Sequence, residues 1–445
     1  MRIFKGEIFR RVLSLFVLVA FIFIGQYILG EMLTPISYAD YFRHDIEIIE
    51  SNKEHVDIVF VGASRIYRTF VPEVLEDKLG LNCVVNAGSS LQPACSTYYQ
   101  LKDLVERLHP DRVVIGVSTA LLTDAPDQQA MLLVYDRISF PNKVKYVLDC
   151  FEKENLLYTL YPYRFRNKLM QIPSIIRAKN LVVENNYQPK SGANEYYADT
   201  GFIYNKDTYE TGTIVLEEEI SYAKEKIREE NLGYLDACVE LCREEGIQLY
   251  LVTGPTTMMR IYNYKGNGYD EVTKFYEQYA DKNNLIFHNL NYLVGRENFL
   301  PDEMMHDGNH VNGEGAYVIS EIYAEILQKD MAGIDTSDYF YSNLNELKAD
   351  VHRIVAVGAE IERDEDDSDI VHIDISSLQN DDIQPIYKVD ISLDEGETYT
   401  ELSDWSTEHE MDVRVEGGSP YQLKVRASTG NVDDAEAYQV YRYNE

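Results

Sequence analysis

From residue 57 onward the chain repeats one pattern, a short unbroken apolar run followed by a stretch with apolar residues at helical spacing. "DIVFVGAS" (57–64) precedes "VPEVLEDKLG" (71–80), which Pro72 opens and Gly80 stops. "NCVVNAG" (82–88) precedes "ACSTYYQLKDLVERL" (94–108), with Leu101, Leu104, Val105 and Leu108 on one face. "DRVVIGVS" (111–118), "IQLYLVTGP" (247–255) and "LIFHNL" (285–290) are further runs of the first kind. Helices are expected over 217–246, ending at Gly246, over 269–283 and over 313–328. A strand that is apolar at successive positions needs cover on both faces. The pattern therefore constrains this part of the chain to an α/β fold, a parallel sheet between two helical layers.

Two stretches break that rhythm. Residues 124–215 form an insertion too long for a simple loop, expected to be a helical, Tyr-rich lid or partner surface. Residues 335–350 have the character of a linker, and from 351 to 445 short alternating runs ("DIVHIDIS", "IYKVDISL", "YQLKVRAS") sit between acidic or Gly/Ser-rich turns. Those runs predict an all-β, sandwich-like domain. It holds 7 Lys+Arg against 24 Asp+Glu, half of the chain's net charge of −34. The acidic stretch "ERDEDDSD" (362–369) lacks the ligand spacing of an EF-hand loop and is expected to be a solvated turn.

The N-terminus sets the location. Residues 12–30, "VLSLFVLVAFIFIGQYILG", carry no charge, and Arg2, Lys5, Arg10 and Arg11 precede them. Nineteen residues at helical rise span about 30 Å, a hydrocarbon core. The positive flank predicts a single-pass anchor in the cell membrane with its N-terminus cytoplasmic and the bulk of the chain extracytoplasmic. Residues 1–34 are thus stub and anchor, and 35–334 the α/β domain. With 41 Lys+Arg against 75 Asp+Glu, the chain is a poor partner for nucleic acid. Five cysteines with no C-x-x-C pair give neither a disulfide framework nor a metal site.

Sites in a parallel sheet form at the carboxyl ends of strands. Three such ends carry small and polar residues: Gly62-Ala63-Ser64, Asn86-Ala87-Gly88-Ser89 and Gly116-Val117-Ser118. Ser64 at a helix start is either a helix cap or a nucleophile. A base for it lies in "HDGNHVNGEGAY" (306–317), where Asp307 and His310 are three apart and one turn can bring carboxylate to imidazole. His306 is the competing imidazole, and helical i,i+4 geometry for a metal is not expected through "HDGNH". Arg65 and Arg68 follow Ser64 and suit either an anionic substrate or salt bridges on the first helix of the α/β unit.

These blocks, in this order over about residues 55–330, resemble the SGNH (GDSL-like) esterases and acyltransferases. Gly62-Ala63-Ser64 is similar to the family's G-D-S-like turn, Gly88 to its second-block glycine, and Asp307-x-x-His310 to its last block, with Asn312 and Gly315 following. One departure stands out: Ser118 occupies the place of the family's oxyanion Asn, and a hydroxyl offers one donor there. The resemblance implies a flavodoxin-like three-layer α/β/α sheet. It also implies a Ser64–His310–Asp307 triad without cofactor or metal, and an oxyanion held by the N–H groups of Ser64 and Gly88 with Ser118. Arg65, Asn86 and Asn312 are the candidate substrate contacts. Membrane-anchored members that D-alanylate teichoic acids or acetylate exopolysaccharides are the most similar in layout. An acyl ester of a cell-envelope polysaccharide or teichoic-acid-like polymer is then the expected substrate, with a multispanning O-acyltransferase as partner. The competing expectation is a catalytically inactive scaffold that binds polymer or docks that partner.

Overall fold

The computed structural model describes residues 2–188, 193–209, 226–263, 268–364, 369–380, 382–415, 420–430 and 437–443. The side chains at 2–8, 19, 22, 23, 27, 31, 199, 262, 263 and 268 lie outside that description.

Five parallel strands make the central sheet: β1 (Ile58–Val61), β2 (Val84–Asn86) and β3 (Arg112–Gly116), then, beyond a hairpin of β4 (Glu195–Asp199) and β5 (Phe202–Asn205), β6 (Gln248–Thr253) and β7 (Ile286–Asn289). Their order is β2-β1-β3-β6-β7. Counting only the five strands of this sheet, that is the 2-1-3-4-5 order of flavodoxin-like folds. The unbroken apolar runs have the reason argued from sequence. Val59, Val61, Val113 and Ile115 enter one buried cluster, while their neighbours Ile58, Phe60 and Val114 enter another on the opposite face.

The helices in chain order are α1 (Arg2–Leu33), α2 (Tyr38–Asn52), α3 (Ser64–Thr69), α4 (Pro72–Leu79), α5 (Ala94–Leu108), α6 (Thr119–Thr123), α7 (Gln128–Arg137) and α8 (Phe140–Cys150). They continue with α9 (Tyr161–Arg164), α10 (Ile172–Glu184), α11 (Glu229–Glu245), α12 (Met258–Asn263), α13 (Gly268–Asn283), α14 (Arg296–Phe299), α15 (Gly313–Met331) and α16 (Leu344–Asp350). Residues of α2, α5, α11 and α13 fill the first cluster, and residues of α3, α4 and α15 the second. Pro72 begins α4, and Gly80 ends it with φ +66. Gly246 ends α11 with φ +71. The described part of α11 begins at Glu229, so the expected helical start at 217–225 lies outside the described residues.

The insertion supplies α7 to α10 and the β4–β5 hairpin, and its last residues, 210–215, lie outside the described residues. The hairpin covers the end of β2. The Asn86 N–H donates to the Thr200 carbonyl at 2.8 Å. Gly201, at φ +96, sits where a Cβ would collide with the Asn86 carbonyl oxygen.

The apolar run 12–30 lies within α1. Among the described residues no helix is long and apolar enough to cross a membrane, and the side chains at 19, 22, 23 and 27 of that run are among those not described. Large apolar side chains of α1 are exposed, Phe16 at 71% and Phe21 at 73%.

After the central sheet, β8 (Met305–Asp307) and β9 (His310–Val311) form a small hairpin. The C-terminal region is all-β. One antiparallel sheet holds β10 (Ala356–Arg363), β11 (Ile370–Leu378) and β14 (Glu410–Arg414). A second holds β12 (Ile386–Ser392), β13 (Thr400–Glu401), β15 (Tyr421–Ser428) and β16 (Ala437–Tyr443). Alternate residues such as Val371, Ile373, Val389 and Leu423 share one buried core between them. Residues 365–368, the middle of the acidic stretch, lie outside the described residues.

Candidate active site

The ends of β1 and β3 meet under the first turn of α3. Gly62 has φ +143, and a Cβ there would stand 3.1 Å from the backbone N of Gly116. A side chain there would be strained by the backbone conformation and tight against its neighbours. That close approach sets Ser64 as the first residue of α3, directly above the sheet.

The β8–β9 hairpin brings the other two groups. Its two-residue turn, Gly308-Asn309, pairs Asp307 with His310 across the strands. Asp307 Oδ1 accepts the backbone N–H of Asn309 at 2.7 Å and of His310 at 3.0 Å, which locks the carboxylate inside its own turn. His310 Nδ1 lies 2.8 Å from Asp307 Oδ2, and His310 Nε2 lies 2.6 Å from Ser64 Oγ. An ionised carboxylate only accepts, so Nδ1 carries the proton and Nε2 is left to accept from the serine hydroxyl. Partial burial works to raise the Asp307 carboxyl. The hydrogen bond and charge of His310 and the Asn309 N–H outweigh it and hold the group well below the usual carboxylate range. His306 stands 3.8 Å from both Asp207 Oδ2 and Asp307 Oδ2, and it is His310 that meets Ser64.

A cleft of about 340 Å³ opens over these groups, lined among others by Ser64, Arg65, Ser118, Arg260, Tyr269 and His310. Arg65 lies in it, with its Nη2 donating to Asn309 Oδ1 at 3.0 Å. Ser118 also lies in it. Its Oγ accepts the Leu121 N–H at 3.3 Å as the cap of α6, which leaves the hydroxyl proton to donate elsewhere. Arg68 turns away to Glu195 at 2.6 Å, the salt-bridge option for that residue.

Three expected site residues are placed differently. Gly88 does not line the cleft, and its N–H donates to Asn86 Oδ1 at 3.2 Å. A Cβ on Gly88 would press on the backbone N of Tyr67, so this glycine serves the seating of α3 against β2. Asn86 is 1% exposed, and its Nδ2 donates to the carbonyls of Ile66 and Phe70, bracing the same helix. Asn312 is the N-cap of α15, with Oδ1 accepting from Gly315 N–H and Nδ2 donating to the Glu303 carbonyl. Neither asparagine turns to the cleft, because each amide is used by backbone groups that folding would otherwise bury unpaired.

Sequence reasoning passed over Arg260, Tyr269, Asn309 and Leu91, all of which line the cleft. For Arg260 a signal was present, since "TGPTTMMR" follows directly from the carboxyl end of β6. Leu91 has φ +48 and is 69% exposed, a combination that only the folded loop reveals. Among the described residues, the groups with metal-ligand spacing are His55 with Asp57 and Asp111, and Asp374 with His409 and Glu410, and neither belongs to this cleft.

No family model matches the chain, and no curated protein matches it. Solved structures do. A GDSL-like lipase from Bacteroides thetaiotaomicron is 16% identical, covers 65% of this chain and 99% of its own, and has a TM-score of 0.30. A protein assigned to the G-D-S-L lipolytic family from Desulfitobacterium hafniense is 13% identical, covers 61% and 99%, and has a TM-score of 0.31. A two-domain esterase active on acetylated mannans is 11% identical, covers 90% and 93%, and has a TM-score of 0.28. Likenesses at these identities and TM-scores carry no weight for function, and the geometry of the cleft has to carry it alone.

Proposed function

We propose that the chain is a serine esterase or acyltransferase of SGNH type. Its substrate is an acyl ester on a cell-envelope polysaccharide or teichoic-acid-like polymer. The single observation that carries the reading is the series of bonds Ser64 Oγ–His310 Nε2, 2.6 Å, and His310 Nδ1–Asp307 Oδ2, 2.8 Å, inside an open cleft. A helix cap has no use for an imidazole on its hydroxyl, whereas a nucleophile needs a base there.

In the proposed reaction Ser64 Oγ attacks the acyl carbonyl while its proton passes to His310 Nε2. Asp307 holds the imidazole in the needed tautomer and stabilises its charged form. Collapse of the tetrahedral intermediate expels the alcohol, which takes the proton back from His310. Water or a sugar hydroxyl then attacks the acyl-Ser64 ester by the same route in reverse. Ser118 and the N–H of Ser64 are the oxyanion donors, while the Gly88 N–H, bonded to Asn86 Oδ1, is a weaker candidate than its position in the sequence suggested. The anchor through residues 12–30, the extracytoplasmic placement and a multispanning O-acyltransferase partner belong to the same proposal, supported by the uncharged run and the basic residues before it.

A second reading has one observation in its favour. With the Gly88 N–H bonded to Asn86, one expected oxyanion donor is already engaged, as befits an inactive polymer-binding scaffold. Fluorophosphonate labelling and p-nitrophenyl acetate turnover of the full chain in detergent separate the two. An enzyme reacts with both, and Ser64→Ala lowers turnover by a factor on the order of 10⁶. The scaffold reacts with neither.

A further inference from the structure

We propose that residues 155–183 form a platform that lies on the surface of a bilayer containing anionic phospholipid, beside α1. This rests on the reading of 12–30 as a membrane anchor and adds to it a second, interfacial contact.

The composition of the segment is the first observation. In a chain with 75 acidic and 41 basic residues, 155–183 contains no Asp or Glu and carries the cations Arg166, Lys168, Arg177 and Lys179, besides Arg164, which is paired with Asp136 at 2.6 Å. The second is its exposed apolar surface. Met170 is 93% exposed, Val183 61%, Leu169 56%, Leu157 50% and Leu181 49%. Cationic and large apolar side chains together on one helical stretch are what an interfacial membrane contact requires, and the exposed apolar ones gain nothing on a surface that only meets water. Tyr158, Tyr161, Tyr163 and Phe165 fall in the same stretch, the residue types that settle at headgroup level. Guanidinium groups sit over three of these rings, Arg164 4.9 Å from the centroids of both Tyr161 and Phe165, and Arg166 4.2 Å from that of Tyr163.

Position is the third observation. The segment packs on α1 at its C-terminal end, where a Cβ on Gly30 would lie 2.7 Å from the ring of Tyr161. With 12–30 spanning the hydrocarbon, Gly30 stands at the extracytoplasmic boundary, so the element seated on it stands at the height of the headgroups. The exposed apolar surface continues across α8, where Phe140 is 64% and Leu148 75% exposed. A cleft of about 350 Å³ runs between the two, lined by Gln26, Gly30, Val144, Leu148, Leu160 and Tyr161. The insertion is expected from its residues to be a lid or partner surface; charge and height together point to lipid as its partner.

The test uses the full chain, whose single tryptophan, Trp405, lies in the C-terminal all-β region and serves as an internal control. Met170→Trp is made in both the native and the Trp405→Phe background and reconstituted in phosphatidylcholine vesicles with and without phosphatidylglycerol. Flotation after alkaline wash reports the anchor, and quenching by bromine-labelled acyl chains reports contact of position 170 with the bilayer. The expected result is flotation, with strong quenching at position 170 and none at Trp405. Quenching should rise with phosphatidylglycerol and fall in the triple variant Arg166→Gln, Lys168→Gln, Arg177→Gln, each charge weakening the contact about fivefold. Flotation without quenching at position 170 overturns the platform and leaves the anchor standing. Failure to float overturns the anchor and the platform with it. Quenching that ignores both lipid charge and the triple variant overturns the anionic-lipid assignment.

Discussion

Asp307 carries two jobs in one side chain: its oxygens close its own turn and hold His310. Because the folded carboxyl is held below its ordinary value, the stability it confers is fully present above the unfolded pKa of about 3.9. That contribution is lost as pH falls from there through the folded value. The stability advantage of wild type over Asp307→Asn should therefore narrow below about pH 4, measured by urea unfolding across pH. A constant difference contradicts the assignment. In turnover, Asp307→Asn should lose about 10⁴. The two imidazoles should separate sharply, His310→Ala losing on the order of 10⁶ and His306→Ala less than about 10² in kcat. Equal losses would show that the hairpin presents the wrong imidazole here.

At the scale of elements, Arg137 ties the insertion to the loop that follows β2. From the end of α7 its Nη1 donates to the carbonyls of Gly88, 2.7 Å, and Ala87, 3.3 Å, and its guanidinium lies 4.9 Å from the ring centroid of Phe42. Burial pushes it down to about 10, so it still binds as a cation at neutral pH. Arg137→Leu should cost about 1–3 kcal/mol, chiefly through the two carbonyls left unpaired, read as a lower thermal midpoint. An unchanged midpoint would contradict that bracing role. Much of this scale was legible beforehand. Unbroken runs marked the strands because both faces are covered, Gly80 and Gly246 marked helix ends because αL suits them, and Asp307-x-x-His310 carried its own turn. What escaped was set by partners distant in sequence. Asn86 looks like a site residue until Ile66, Phe70 and Thr200 are seen to use it, and Asn312 does so until α15 begins on it. The β4–β5 hairpin over β2 depends on Gly201 meeting Asn86, a contact with no local signature.

For the whole molecule, the α/β part and the all-β region are joined by a buried cluster rather than by a bare linker. Leu344, Leu347 and Val351 pack with Met258, Ile261 and Tyr292. Leu347, 1% exposed, should cost about 2–5 kcal/mol when cut to Ala, and calorimetry should then resolve two transitions where the wild type shows one. A single unshifted transition would contradict the coupling. The fold thus sets the serine cleft on one rigid sheet, and the proposed lipid contact would fix that sheet at a set height above the membrane. The proposed chemistry stands on acylation of Ser64. The most direct measurement is rapid quenching of the full chain during p-nitrophenyl acetate turnover, with peptide mapping by mass spectrometry. An acetyl ester is expected on the peptide carrying Ser64, absent in His310→Ala. An acetyl group on another residue, or turnover with Ser64 unmodified, would contradict that chemistry.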